Sequence, residues 1–248
     1  MKVSAVFTDY DGTIAPLGVE RERSAVPGAL FSVLEEISSR IPVAVITSKD
    51  VGFVRPRTAF AWAWAGVLGL ELRFRDGSGS VAAVPADLND AMSKVRELLP
   101  SGVFVEEKRG SDGSLLGVSL DWKRLQNPPL GDLGMVARLL EDRGLPVHSH
   151  PEHRFMDVYA APADKGTAFK ALAEALGAHS PIMYLGDTVT DNDAFDVSDI
   201  SVCVGQQVAA KQLRCLHSIR YDEVEGMFSR LLADGLDFTV AEGGSEAR

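Results

Sequence analysis

Apolar and polar positions divide the chain into short, almost wholly apolar runs and longer segments with apolar residues at helical spacing. Continuous apolar runs of this length are typical of strands buried on both faces of a sheet. Four such runs are predicted strands: "KVSAVFT" (2–8), "IPVAVITS" (41–48), "PIMYLGD" (181–187) and "DISVCVG" (199–205). Three further segments are predicted helices: "PGALFSVLEEIS" (27–38), "DKGTAFKALAEALG" (164–177) and "VEGMFSRLLADGL" (224–236). Strands that alternate with helices indicate an α/β fold with a Rossmann-like parallel sheet.

The middle of the chain has a different pattern. Two helical segments, 87–100 and 130–144, alternate with two pairs of predicted strands, the first pair joined at the turn "GSDGS". Helix, two strands, helix and two strands make a compact α+β unit. We therefore predict a discontinuous core domain (1–80 and 162–240), an inserted α+β cap domain (81–161) and a disordered tail (241–248).

Composition narrows the possible partners. The 248 residues are 46% hydrophobic and carry a formal net charge of −10, so we expect no binding to nucleic acid or to anionic membrane surfaces. The longest charge-free apolar stretch, 58–70, is too short to span a bilayer, and no signal peptide is recognisable. Two cysteines, Cys203 and Cys215, are expected to be buried or free thiols. The prediction is a cytoplasmic monomer or small homo-oligomer.

Reactive polar side chains follow three of the predicted strands. Ligands bind beyond the carboxyl ends of the strands in a parallel sheet, so we expect these side chains to converge. Clustered carboxylates need a hard cation such as Mg²⁺, and hydroxyl or ammonium donors beside that cation suit a phosphate. The side chains are Asp9 and Asp11 after the first strand, Thr47 and Ser48 after the second, Asp187, Asp191 and Asp193 after the third, and Lys165 at the start of the preceding helix.

This set of groups suits phosphoryl transfer. One carboxylate can attack phosphorus to give an aspartyl-phosphate, and a second acid two residues further on can protonate the leaving oxygen and then activate water. Phosphoryl transfer needs mainly positioning and charge neutralisation, which the remaining groups supply.

Each feature also has a purely structural interpretation. Asp-Gly is common in surface turns, Thr47 and Ser48 could cap the helix near "KDVGF", and "GDTVTDND" could be a loop with an N-cap. Lys165 could be a solvated lysine, although the helix macrodipole disfavours a cation there unless an anion lies nearby.

Two other groups of residues are given structural interpretations. His148, His150 and His153 lie close together in the sequence, and a polar loop at the cap edge is favoured over a transition-metal site. Trp62 and Trp64, between alanines, are predicted to pack rather than to contact a sugar.

The segments "DYDGT", "TSKD", "DKG" and "GDTVTDNDAF" resemble, in order and spacing, the four motifs of the haloacid dehalogenase-like (HAD) phosphatases. The resemblance implies roles for the residues that match these motifs. They are Asp9 as nucleophile, Asp11 as general acid/base whose backbone carbonyl also contacts Mg²⁺, Ser48 with Thr47 beside it and Lys165 as phosphate-binding groups, and Asp187 supported by Asp191 as metal ligands.

Within that superfamily the chain is most similar to the trehalose-6-phosphate phosphatases. "GVFVEEKRGS" resembles their cap segment Glu-Asp-Lys, with Glu106, Glu107 and Lys108 at the matching positions, which implies that Glu106 and Lys108 contact the sugar. The alternative is that these charged residues form a solvated face of the cap. The chain departs from that family at Leu68, where histidine is usual, and at Ser119–Asp121, where His-Tyr-Arg is usual. Its second motif, "SKD", looks more like that of the mannosyl-3-phosphoglycerate phosphatases.

The predicted function is therefore a Mg²⁺-dependent phosphatase acting on a small phosphorylated molecule. Trehalose 6-phosphate is the first candidate substrate, and mannosyl-3-phosphoglycerate or another sugar phosphate is the alternative. Two other activities stay open: a non-catalytic regulator that binds a phosphometabolite, and a mutase that moves phosphate between sugar positions.

Overall fold

The computed structural model describes residues 1–18, 21–84, 88–150, 154–205 and 212–239. The chain divides into two compact units, Met1–Ser80 with Asp164–Arg248, and Val81–Ala163. The predicted disordered tail, 241–248, lies outside the described residues.

The described secondary structure comprises twelve strands and seven α-helices. The strands are β1 (Ala5–Thr8), β2 (Val43–Ile46), β3 (Ala63–Gly66), β4 (Glu71–Phe74), β5 (Gly79–Val81), β6 (Phe104–Arg109), β7 (Leu115–Asp121), β8 (Val147–His150), β9 (Phe155–Tyr159), β10 (Ile182–Gly186), β11 (Ile200–Val204) and β12 (His217–Ile219). The helices are α1 (Gly28–Ser38), α2 (Val51–Val54), α3 (Leu88–Leu98), α4 (Leu130–Glu141), α5 (Lys165–Leu176), α6 (Asn192–Phe195) and α7 (Val224–Ala233). Among the described residues, no helix has both the length and the apolar character needed to cross a membrane.

An eight-stranded sheet forms the centre of the first unit, in the order β12-β11-β10-β1-β2-β3-β4-β5. The strands from β12 to β3 pair in parallel, and β3 pairs with β4 in antiparallel orientation. Every residue of β1, β2, β3, β10 and β11 is buried, which explains their continuous apolar sequences. The α/β fold class predicted from the alternating pattern is confirmed.

Helices cover both faces of this sheet. On one face, α1 and α7 bury residues such as Leu34 and Phe228 in one apolar cluster. On the other face, α5 and α6 bury Phe169, Leu172 and Phe195 in a second cluster. This layering leaves the carboxyl ends of the parallel strands together at one edge of the sheet.

The second unit is an α+β layer pair. Its sheet is antiparallel in the order β6-β7-β9-β8, and α3 and α4 pack on one face through residues such as Val95, Val136 and Leu140. Alternate positions of the strands point to the opposite face, because successive side chains of a strand alternate. That face carries polar residues, Glu106, Lys108, Ser119 and Asp157 among them.

The sequence pattern did not predict β3, β4, β5 or β12. β3 lies in a stretch rich in alanine, tryptophan and glycine that has no strand alternation, whereas the alternating residues 70–75, followed by Asp76 and Gly77, did signal β4 and were overlooked. β5 and β12 are only three residues long each, which is too short for a periodicity to appear.

Cys203 and Cys215 are buried, but the expectation that they are thiols was wrong, because they form a disulfide. Cys203 is in β11, and Cys215 precedes β12, which pairs with β11 in parallel. This pairing brings the two Cα atoms to 5.7 Å, although twelve residues separate them in sequence. The bond depends on that tertiary proximity, which cysteine spacing alone did not indicate.

Truncation of a residue between α1 and the sheet should test the core. Leu34 is fully buried, so we expect Leu34→Ala to lower the free energy of unfolding by about 2–5 kcal/mol. Glu35→Ala, on the exposed face of the same helix, should change it by no more than about 0.5 kcal/mol. Urea unfolding monitored by circular dichroism measures both values, and equal losses would contradict this packing of α1.

Candidate active site

Asp9 lies directly beyond the carboxyl end of β1, between β10 and β2. The backbone N–H of Asp9 donates to the carbonyl of Leu185 at 2.8 Å, and the carbonyl of Asp9 accepts from the Thr8 hydroxyl at 2.8 Å. Asp9 is 5% exposed. The ladder of the central sheet therefore holds this carboxylate at a fixed position in a nearly dry environment.

Lys165 is the first residue of α5 and is buried. Asp164 caps the helix by accepting a hydrogen bond from the backbone N–H of Thr167 at 2.7 Å. The Lys165 Nζ donates to Oδ1 of Asp9 and to Oδ1 of Asp191, each at 2.7 Å. The interpretation as a solvated lysine is therefore wrong. The two carboxylates are the anions that make a cation acceptable in the first helical turn.

Asp191 is fully buried and accepts hydrogen bonds at both carboxylate oxygens. Besides Lys165, its Oδ1 accepts from the Tyr184 hydroxyl at 2.6 Å. Its Oδ2 accepts from the backbone N–H groups of Asp187 and Thr188 at 3.1 and 3.0 Å. Asp191 therefore orders the loop after β10 and holds the backbone of Asp187 in place.

Two glycines allow the carboxylates to approach the backbone. Gly12 has φ of +79°, and a Cβ there would lie 2.0 Å from Oδ2 of Asp187. A Cβ on Gly186 would lie 2.3 Å from Cγ of Asp191. No side chain fits at either position. The glycines of "DYDGT" and "GDTVTD" are therefore required by close packing around the acids, in addition to the backbone conformation at Gly12.

The negative charge of Asp9, Asp187 and Asp191 exceeds the positive charge of Lys165 beside them. Ligand oxygens of Asp9, Asp187 and Asp191 lie within 4.8 Å of one another, with the one ammonium of Lys165 among them. Burial raises the pKa of Asp9 to about 7, although Lys165 opposes the rise. Burial, together with the neighbouring charges of Asp9 and Asp191, raises the pKa of Asp187 well above its usual range. Hard oxygen ligands with excess negative charge fit a divalent cation such as Mg²⁺.

The carboxylate of Asp11 does not belong to this group of three acids. Its Oδ1 accepts a hydrogen bond from the Ser24 hydroxyl at 3.1 Å, and its Oδ2 lies 3.8 Å from Nζ of Lys49. The side chain is 29% exposed, in contrast to that of Asp9. The two acids of the first motif therefore lie in different environments, one dry and one open to solvent.

Thr47 and Ser48 follow β2, which pairs with β1 in a register that places Thr8 level with Val45. Thr47 is buried, and its hydroxyl accepts a hydrogen bond from the backbone N–H of Lys49 at 3.1 Å. Ser48 is half-buried. The alternative that either residue caps the next helix is wrong, because Asp50 caps α2 through the N–H of Phe53 at 2.8 Å.

Glu106 and Lys108 lie on β6 in the second unit. The Nζ of Lys108 is buried and donates to Oδ1 of Asp157 at 2.8 Å, and Glu106 is level with Ser119 of β7. The Ser119 hydroxyl also donates to Asp157. The residues predicted to contact a sugar therefore belong to a hydrogen-bonded polar face of this sheet.

The histidines of the second unit pack against aromatic rings. His148 meets Tyr159 with ring centroids 5.2 Å apart, and His150 stacks on Phe155 at 4.6 Å. His153 lies outside the described residues. Trp64 in the first unit is 2% exposed, in agreement with its predicted packing role.

Sequence reasoning missed several residues around the acids. Tyr184 is a polar-tipped aromatic in an otherwise apolar strand, which was a signal for a buried hydrogen bond. Ser24 and Lys49, beside Asp11, carried no such signal, because they reach Asp11 only through the tertiary fold.

Comparisons with known proteins find similar sequences and a similar fold. The family model for sucrose-6F-phosphate phosphohydrolase matches residues 130–228. A trehalose-phosphate phosphatase of Mycobacterium ulcerans is 30% identical over 209 residues, which are 77% of this chain and 50% of that protein. A trehalose-phosphate phosphatase of Mycobacterium tuberculosis is 33% identical over 211 residues, which are 78% of this chain and 51% of that protein. The chain thus spans about half the length of the curated relatives it matches.

A solved structure shows the same fold. The C-terminal domain of C. albicans trehalose-6-phosphate phosphatase superposes with a TM-score of 0.74 at 16% identity, covering 95% of this chain and 93% of that chain. The family resemblance that the four motifs indicated is confirmed by these findings taken together.

Replacement of Gly12 should displace Asp187. We expect Gly12→Ala to weaken Mg²⁺ binding about 10- to 100-fold, because the new methyl group would occupy the position of the carboxylate oxygen. Gly18→Ala is a matched control, since Gly18 has φ of +76° but nothing within 4 Å of its added Cβ. Isothermal titration calorimetry with MgCl₂ measures both. Equal losses in the two variants would mean that backbone strain, and not the approach of Asp187, is responsible.

Stabilisation by Mg²⁺ should depend on pH. Burial raises the pKa of Asp9 from 3.8 to about 7 in the folded protein. Between these two pH values the folded protein keeps a proton that the unfolded chain has lost, so the metal-free fold loses stability as the pH rises from one value to the other. A cation binds the ionised form and displaces the proton. The Tm increase on adding Mg²⁺ should therefore be larger at about pH 8 than at about pH 5.5.

Differential scanning fluorimetry at the two pH values measures this increase. Asp187→Asn should abolish most of it at both, whereas Asp196→Asn, at an exposed acid that follows the last residue of α6, should leave it unchanged. An equal increase at both pH values in the wild type would contradict this assignment of the cation to the buried acids.

Proposed function

Because the chain belongs to the haloacid dehalogenase-like phosphatase superfamily, we propose that it is a Mg²⁺-dependent phosphatase that hydrolyses a sugar phosphate through an aspartyl-phosphate intermediate. The observation that carries this proposal is the ammonium of Lys165, 2.7 Å from both Asp9 and Asp191, beside Asp187. In this proposal the nucleophile, the phosphate-binding cation and the metal ligands lie together beyond the carboxyl ends of the parallel strands.

Asp9 is the nucleophile in this proposal. A carboxylate oxygen of Asp9 forms a bond to phosphorus, and the bond between phosphorus and the sugar oxygen breaks. Attack requires the ionised carboxylate, whereas burial alone favours the protonated form. Lys165 already favours ionisation, and further positive charge at the site favours it more.

Asp11 is the general acid and then the general base in this proposal. It donates a proton to the departing sugar oxygen, and it then takes a proton from the water whose oxygen attacks phosphorus. This second step breaks the bond between Asp9 and phosphorus and releases phosphate. The location of the Asp11 carboxylate supports this role, because it is partly exposed and lies outside the group of three acids.

The carboxylates of Asp9, Asp187 and Asp191 and the backbone carbonyl of Asp11 are assigned as the ligands of the cation. Bound Mg²⁺ would neutralise negative charge on the transferring group. Ser48, with Thr47 beside it, and Lys165 are assigned to the phosphate oxygens. Thr47 and Ser48 follow β2, which is the neighbour of β1 in the sheet, and Lys165 is the first residue of α5.

Trehalose 6-phosphate is the proposed substrate, since relatives that are 30% and 33% identical over the matched residues are named trehalose-phosphate phosphatases. Glu106 and Lys108 are assigned to the sugar. Mannosyl-3-phosphoglycerate, and also sucrose 6-phosphate in view of the matching family model, belong in any substrate panel. The departure at Ser119 supports testing them, because its hydroxyl donates to Asp157.

Phosphate release from a panel of sugar phosphates with Mg²⁺ tests the proposal. We expect trehalose 6-phosphate to be hydrolysed fastest, and Asp9→Asn to lower kcat by at least about 1,000-fold, because an amide does not attack phosphorus. Asp196→Asn is the control for surface charge and should keep full activity.

The other outcomes separate the rival functions. Product isomers without free phosphate would indicate a mutase. Phosphate binding without turnover of any substrate, including a generic aryl phosphate, would indicate a regulator and overturn the enzyme proposal.

A further inference from the structure

The turn after β3 holds three consecutive residues in the left-handed region of backbone conformation. Their φ angles are 49° at Val67, 57° at Leu68 and 96° at Gly69. Glycine adopts this region readily, but leucine rarely does, and the β-branched valine is a true outlier there. Val67 and Leu68 are nevertheless buried, at 0% and 3% exposure. The surrounding structure must therefore compensate for an unfavourable backbone at two positions.

One side of this turn donates backbone hydrogen bonds to the loop that carries Ser48. The N–H of Val67 donates to the carbonyl of Lys49 at 2.8 Å, and the N–H of Leu68 donates to the carbonyl of Thr47 at 2.9 Å. Successive N–H groups that point the same way are a property of turns containing left-handed residues. The two residues that flank Ser48 are thus both held by backbone hydrogen bonds.

The glycine before the turn permits this contact. A Cβ on Gly66 would lie 2.7 Å from Cγ2 of Val51 and 3.0 Å from the carbonyl oxygen of Lys49. The approach of the two segments is therefore as close as their backbones allow.

The other side of the turn touches the helix that carries Lys165. A Cβ on Gly69 would lie 2.7 Å from Cβ and 3.4 Å from Cα of Ala168. Ala168 follows Lys165 by three residues, so it lies one turn along α5 on the same side of the helix. Gly69 therefore meets α5 directly next to the residue whose ammonium lies between Asp9 and Asp191.

We propose that the turn Val67–Gly69 is a positioning element that sets the separation between Ser48 and Lys165. Gly69 and Ala168 are its positioning residues. The inference rests on the proposed phosphatase function, in which Ser48 and Lys165 bind the same phosphoryl group. The left-handed backbone is retained because it directs two N–H groups at the Ser48 loop while Gly69 touches α5. Backbone contacts of this kind hold a distance more closely than flexible side chains do.

Changes at the contact between Gly69 and Ala168 test the proposal. Gly69→Ala and, from the helix side, Ala168→Val should each force α5 away from the turn. Gly77→Ala is the matched control, since Gly77 has φ of +89° and nothing within 4 Å of an added Cβ. The double variant Gly69→Ala/Ala168→Gly removes the methyl group that the new side chain would meet, but keeps the backbone strain.

Two measurements are made on each folded variant in the presence of Mg²⁺. Calorimetry gives the Kd for inorganic phosphate, and phosphate release gives kcat/KM for the best substrate of the wild type. We expect Gly69→Ala and Ala168→Val to weaken phosphate binding and lower kcat/KM, each by at least about tenfold, because a displacement near 1 Å costs that much or more. Gly77→Ala should stay within about twofold, and the double variant should recover most of the loss.

Each outcome separates the positioning inference from the proposed function. If Gly69→Ala and Ala168→Val bind phosphate as well as Gly77→Ala does, or if the double variant recovers nothing, the positioning inference is overturned. If the wild type hydrolyses no substrate but binds phosphate, the enzyme proposal fails, while the Kd values still decide the inference. A wild type that neither hydrolyses any substrate nor binds phosphate would overturn both.

Discussion

The buried ammonium of Lys165 is the group on which the rest of the site depends. It joins Asp9, at the end of β1, to Asp191, in the loop after β10, and it opens α5. A cation and two carboxylates removed from water are tolerable only while all three remain together, and removal of one partner of such a buried pair costs about 3–5 kcal/mol. Three segments that are distant in sequence are therefore tied to one another by one set of charges.

Close approach of the backbone places these charges. Gly12 and Gly186 leave room for the carboxylates of Asp187 and Asp191, and Gly166 allows α5 to contact the carbonyl of Asp193, which a Cβ would approach to 2.4 Å. Three acids around one lysine then leave an excess of negative charge in a dry environment, which explains the raised pKa values of Asp9 and Asp187. In the proposed chemistry, a divalent cation would neutralise this excess of negative charge.

Reactive groups and departures from the family pattern are distributed unevenly over the chain. The matched motifs all lie in the first unit, and the departure at Ser119–Asp121 lies in the second, where Ser119 and Lys108 both bond to Asp157. The chemistry can therefore be argued from one set of residues and substrate choice from another. Leu68 is an exception, because it departs from the family pattern within the first unit, in the strained turn beside the Ser48 loop.

Local sequence alone determined the α/β fold class, because strands buried on both faces of a parallel sheet are apolar throughout. It also determined the family resemblance, because the site requires its acids and glycines at fixed spacings within each motif. It did not show β3, whose alanine-rich residues have no polar alternation, nor the disulfide between Cys203 and Cys215, which depends on the pairing of β11 with β12. The alternating residues of β4 did carry a strand signal, which was overlooked. The roles assigned to Asp9, Asp11 and Lys165 remain predictions, but the meeting of Lys165 with both Asp9 and Asp191 was decided only by the tertiary structure. The physical reason is that hydrogen bonds and desolvation act between residues far apart in sequence, such as Asp9 and Lys165 at a separation of 156 positions, and no local pattern records such pairings.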